Sequence, residues 1–193
     1  MACETAICPP AQARVKFAPD ADDVESHPMD GQQITLWTVR LALAFYVLTL
    51  AALLARARPG TARGLWTLGC LCYLAHVAAA FHFFHGWSHA AAYRDTARQT
   101  NDALGINWGG GIWFNYVFTA LWAADATYWW EAGRKRYRNR SRCLTGAIHA
   151  FMAFMWINAA IVFASGPVRW VSLSVAVVLL LWWASTRSRL RGV

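Results

Sequence analysis

Three histidines, His82, His85 and His89, recur at i, i+3 and i+7 within the segment FHFFHGWSH. On an α-helix advancing ~100° per residue they fall within about 60° of one another, forming a single stripe. Neutral imidazole is a ligand for copper, iron and zinc, and an i, i+4 pair such as His85 and His89 can bring two rings to one ion. The stripe therefore predicts a transition-metal site. The competing reading is an interfacial helix whose histidines hydrogen-bond among aromatic neighbours. Gly86, inside the stripe, lets a second helix or a cofactor approach closely, as small residues do in membrane helix packing.

His76 lies on the opposite side of the same helix, about 14 Å deeper at ~1.5 Å per residue. The only histidine in another apolar segment is His149. Together they form the candidate axial pair for a haem b, although their expected depths differ by about 7 Å. Asp125 is the one carboxylate inside an apolar segment. An intramembrane acid needs a partner, and its expected depth nearly matches that of His149, so an Asp125–His149 hydrogen bond is predicted. Cys70 and Cys72 lie about 200° apart on a helix and cannot share one site. No CxxC occurs, which disfavours thioredoxin-like and zinc-ribbon chemistry. Membrane desaturases use several histidine boxes on separate segments. Here four of the six histidines lie between positions 76 and 89, too few elsewhere to complete such a set.

Arg40, Asn115, Tyr116 and Asn158 come from three further apolar segments. Each is expected within one or two turns of the same membrane boundary as the histidine stripe. They outline a polar cavity in which Arg40 could hold an anion or a carboxylate. No catalytic residue is identified, and whether the chain is an enzyme stays open.

The elements that must position these residues are read from hydropathy. Of 193 residues, 58% are hydrophobic and 12 are Trp, too apolar for an ordinary soluble domain of this size. Apolar stretches at 34–55, 65–84, 112–130, 144–164 and 168–184 each approach the ~17–25 residues that span a bilayer. Backbone groups in lipid must be satisfied within the segment, so these spans are helices. The expected fold is an all-α, polytopic membrane bundle of five transmembrane helices over 34–186. An acidic N-terminal tail (1–33) precedes it and a basic tail (187–193) follows. Cys3 and Cys8 lie in the N-terminal tail as a candidate disulfide.

Lysines and arginines set the orientation. Twelve flank one side of the five spans and five the other, with Arg40 inside the first. The positive-inside rule then places the N-terminus outside and the C-terminus in the cytoplasm, in a bacterial-type inner (plasma) membrane. The net charge of +8 follows this layout and implies no nucleic-acid partner. Residues 88–111 read as an outer loop into which the second span continues as a polar helix, stopped at Gly105. Trp66, Trp129, Trp130, Trp182 and Trp183 are expected in a belt at the inner boundary, and Trp122 and Trp156 in the interior. The function expected from the sequence is metal or haem binding at the outer end, for metal handling or electron transfer. The alternative is a non-catalytic subunit or scaffold, whose partners are the lipid bilayer and other subunits or copies of the chain.

Overall fold

The computed structural model describes residues 30–162 and 166–191, and all regular structure within them is helical. The tail cysteines Cys3 and Cys8 and the turn residue Ser165 lie outside the described residues. Helix α1 (Gly31–Leu54) begins at Asp30, whose side chain accepts from the Gln32 amide, so it starts earlier than hydropathy predicts. Helix α2 (Pro59–Ala80) opens with proline in its first turn, where the missing N–H costs nothing. It continues into a π-helical turn, Phe81–His85. Helix α3 (His89–Leu104) follows, then α4 (Gly111–Glu131), the short α5 (Gly133–Arg138), α6 (Arg142–Ile157) and α7 (Pro167–Arg191). Helix α6 also runs into a π-helical turn, Asn158–Val162.

Contacts between helices show that successive long helices are antiparallel. Thr35 of α1 meets His76 of α2, Thr67 of α2 meets Trp130 of α4, and Phe114 of α4 meets Phe154 of α6. Helix α1 packs on α2, α2 on α4, α4 on α6, and α7 returns against α1. One end of the bundle is covered by α3. The other carries the basic helix α5.

Four segments are long and apolar enough to cross a membrane: Gly31–Leu54, Gly60–His85, Arg142–Val162 and Pro167–Ser185. Helix α4, expected as a span, is absent from that set although it has 21 residues. The reason is its composition: Asn115, Asp125 and several Trp and Tyr lower its hydropathy. It contacts α2, α3, α5 and α6, and buries Ile112, Phe118, Trp122, Asp125, Ala126 and Trp129. Helix α4 is solvated by protein on that face rather than by lipid. Helix α7 is the opposite case, with Trp170, Val171, Val178, Leu180 and Leu181 all more than 60% exposed. So large an apolar face matches a hydrocarbon environment and not water. Among the described residues the protein is all-helical, and its four long apolar helices fit a membrane-embedded protein.

The core is aromatic. Trp66 is 1% and Trp122 2% exposed, with ring centroids 5.3 Å apart, and Tyr46 packs against both. Trp66 and Trp129 are buried against neighbouring helices, whereas Trp130, Trp182 and Trp183 are exposed. Hydropathy alone cannot separate the two cases, because burial depends on which helix face meets a neighbour. Gly69 makes the close packing of α2 on α4 feasible. A Cβ there would stand 2.8 Å from the Trp122 ring and 3.2 Å from the Phe45 Cβ. Because the ring is locked in place, Gly69→Ala should destabilise the detergent-solubilised protein by ~1–3 kcal/mol, the usual cost of overpacking. A lowered thermal unfolding midpoint, followed by circular dichroism, checks this.

Candidate functional site

The three-histidine stripe does not form. Gly86 and Trp87 take φ values of +52° and +60°, ending α2, and Ser88 then caps a new helix by accepting from the Ala91 amide. The π-helical turn also changes the angular step between His82 and His85. His89 consequently begins α3, where its Nδ1 is 2.9 Å from the Tyr116 hydroxyl. His82 packs on Phe83, and His85 on Phe81. Among the described residues no three of His, Cys, Asp and Glu gather as a metal-ligand set. The signal missed was Gly86-Trp87-Ser88, a left-handed stop followed by an N-cap.

His76 and His149 are likewise kept apart. His76 Nδ1 lies 2.9 Å from the Thr35 carbonyl. A carbonyl only accepts, so Nδ1 carries the proton and the neutral ring keeps its lone pair on Nε2. His149 packs edge-on against Trp66, and its buried Nδ1 has no hydrogen-bond partner among the described residues. A continuous series of ring contacts runs from His76 through Tyr73, Trp122 and Trp66 to His149, each step 5.3–5.9 Å between centroids. A haem bridging the two histidines would have to displace Trp66 and Trp122, two of the most buried side chains in the protein.

What the geometry does bring together is a pair of adjoining cavities at the α3 end. One, of about 510 Å³ and the more polar of the two, has a mixed lining in which Thr35, Tyr73, His76, His85, Asp95, Thr96, Gln99, Asn115, Tyr116 and Thr119 stand beside Leu36, Val77, Phe81 and Phe84. The other, of about 550 Å³, is walled by Leu43, Phe114, Phe118, Met152, Phe154 and Met155 from α1, α4 and α6. Tyr73, His76, Thr96, Gln99 and Asn115 line both, so the two chambers meet at those residues. Each volume suits a small ligand, for which ~300–1,000 Å³ is usual. Of the expected polar cavity, Asn115 and Tyr116 line the polar chamber and Asn158 the apolar one. Arg40 lines neither. It is exposed, with its guanidinium 5.4 Å from the Trp37 ring centroid. The contribution of α3 went unread, although Ala92, Thr96, Gln99 and Thr100 recur at helical spacing and mark an inward face.

At the opposite end, Asp125 is satisfied by groups other than His149. Tyr137 donates its hydroxyl to Asp125 Oδ2 at 2.8 Å, and the Arg140 guanidinium pairs with Oδ1. Both charged side chains are at most 5% exposed. Arg140 also donates to Thr145 and lies 4.0 Å from the Tyr137 ring centroid, while Tyr137 stacks on Trp129 at 4.1 Å. Burial, reinforced by the adjacent carboxylate, pushes the Tyr137 phenol well above its ordinary range, so it stays a donor. Arg140 reads in sequence as one of six loop cations. The turn after Gly133, at φ +69°, brings it back over α4.

Removing one partner of a buried pair leaves an uncompensated charge, which costs ~3–5 kcal/mol, whereas replacing both costs far less. Asp125→Leu and Arg140→Met should each lower the unfolding midpoint more than the double variant does. A double-mutant cycle in detergent measures the difference, and equal or additive losses would contradict it. No protein-family model, no curated protein and no solved structure matches this chain.

Proposed function

We propose that this protein is a five-span membrane bundle, N-terminus outside and C-terminus cytoplasmic, that binds a small amphipathic ligand in its outer half. The observation that carries the reading is the meeting of a polar and an apolar chamber at Tyr73, His76 and Asn115. A head group would sit among the polar side chains and an apolar tail between α1, α4 and α6. Helix α3 supplies part of the wall of both chambers, through Thr96 and Gln99. Orientation is supported by the bias of twelve basic residues against five. The fifth span is supported by the antiparallel path of α4 between α2 and α6. Among the described residues the metal and haem reading has no gathered ligand set to support it.

Organic extraction of the protein purified in mild detergent, followed by mass spectrometry, should recover a stoichiometric amphiphile. Met155→Trp, which fills the apolar chamber, should reduce its recovery at least about tenfold while leaving the helical spectrum intact. The same preparation should show neither a Soret band nor stoichiometric metal. Undiminished recovery from Met155→Trp would remove the apolar chamber as the site. A topology reporter fused after Val193 should read as cytoplasmic, and one inserted after Gly105 as external. The reverse pattern would invert the proposed orientation.

A further inference from the structure

Helix α5 reads GRKRYR, and Tyr137 is its buried residue. That side chain fixes the helix to the bundle, stacking on Trp129 and donating to Asp125, while Arg140 just beyond pairs with the same carboxylate. With Tyr137 turned inward, Arg134, Lys135, Arg136 and Arg138 are all exposed. The ion pairs among the described residues are Arg98–Asp95 and Arg140–Asp125, so none of these four cations has a carboxylate partner there. Glu131, the acid nearest to them in sequence, is exposed and takes part in neither pair. Arg56 and Arg58, between α1 and α2, and Arg142, at the start of α6, are exposed at the same end of the bundle. The result is a cationic face carried on a docked helix rather than on a free loop.

The apolar surroundings of that face select its partner. Trp130, on the last turn of α4, is 53% exposed. The Arg63 guanidinium lies 3.8 Å from its ring centroid, and its indole N–H donates to Thr67 at 2.9 Å. An exposed indole with its N–H satisfied and a cation over its ring suits the depth of lipid head groups. Leu53, Tyr128 and Leu144, on the adjoining ends of α1, α4 and α6, are exposed as well. A nucleic acid or an acidic protein would match the charge and leave these apolar side chains without a partner. An anionic phospholipid matches both, with phosphate for the cations and acyl chain for the helix ends. Arginine, which supplies three of the four cations on α5, binds phosphate through a planar fork of donors.

We propose that α5 is a docking face for anionic phospholipid head groups, which it draws from the surrounding bilayer in preference to zwitterionic ones. Nothing in this surface depends on the chambers toward α3.

The test uses the full-length protein in mild detergent, offered equal amounts of dioleoyl phosphatidylglycerol and dioleoyl phosphatidylcholine, with bound lipid counted by native mass spectrometry. The anionic lipid should be retained at least about fivefold more at low salt, a preference that shrinks as salt screens the cations. Neutralising Arg134, Lys135, Arg136 and Arg138 together to Gln should bring the two lipids to within about twofold of each other. The smaller change Lys135→Gln with Arg138→Gln should at least halve the preference and guards against misfolding of the fourfold variant. Arg94→Gln with Arg169→Gln, at the other end of the bundle, should leave the preference intact. Glycerol phosphate, the head without its tails, should not displace the lipid at millimolar concentration. Equal retention of both lipids by the unaltered protein would overturn the proposal. So would an equal loss in the Arg94 and Arg169 variant, which would reduce the effect to net charge. Displacement by glycerol phosphate would make the face a phosphate site without lipid, and polyglutamate bound more tightly than phosphatidylglycerol would make the partner an acidic protein. Either result would also overturn it.

Discussion

Every polar side chain in a bundle whose outer faces are apolar must find its partner inside, and the pairing of Asp125 with Arg140 and Tyr137 is where that constraint bears hardest. A buried carboxylate contributes nothing unless a cation and further donors surround it. Satisfying Asp125 draws the segment after α4 back onto the bundle, which places Tyr137 flat against Trp129. The same bend starts α6 at Arg142 beside α4, so that His149, Ile148 and Met152 reach the aromatic core. The ion pair thus acts less as a source of net stability than as the register pin for the α4–α6 hairpin. That hairpin in turn forms one wall of the apolar chamber.

The two ends of the bundle differ in how they are filled. Toward α5, the buried ion pair closes over a core filled by Trp66, Trp122, Trp129 and Met152. Threonine hydroxyls are satisfied by carbonyls one turn back at both ends, Thr35, Thr96 and Thr119 toward α3 and Thr49 and Thr67 toward α5. That local solution is cheap, because it needs no partner from another helix. The open volume toward α3 therefore reflects which side chains reach the interior there, not how the threonines are satisfied.

Much of this was legible in the residues. Helix content, the apolar segments and the Gly105 stop follow from composition and local turn chemistry, which depend on near neighbours in sequence. The stripe His82–His85–His89 failed for a local reason too, since Gly86 and Ser88 carry the stop and restart that break it. Other features were not legible, because they depend on how helices rotate against one another. Trp66 and Trp129 differ from Trp130 only in the face they present, yet they are buried while Trp130 is exposed. Arg140 could be assigned to Asp125 only once the turn at Gly133 was known. Helix α4 carries Asn115, Asp125 and several Trp and Tyr, which keep it out of the segments apolar enough to cross a membrane although its apolar stretch approaches the length of a span.

Both π-helical turns, Phe81–His85 and Asn158–Val162, fall at the α3 end, on the final turns of α2 and α6. Each borders a chamber, the first through Phe81, Phe84 and His85, the second through Asn158 and Ala159. A π turn widens the helix by one residue and interrupts its regular hydrogen bonding, a cost that recurs mainly where a site needs it. In the second of them Ala160 stays packed in the core while Asn158 and Ala159 line the apolar chamber. The Asn158 side chain reinforces one such turn by donating to the Phe154 carbonyl at 2.8 Å. The departures from ideal helix and the open volume thus coincide at the end of the molecule that α3 covers, where each π turn supplies part of a chamber wall.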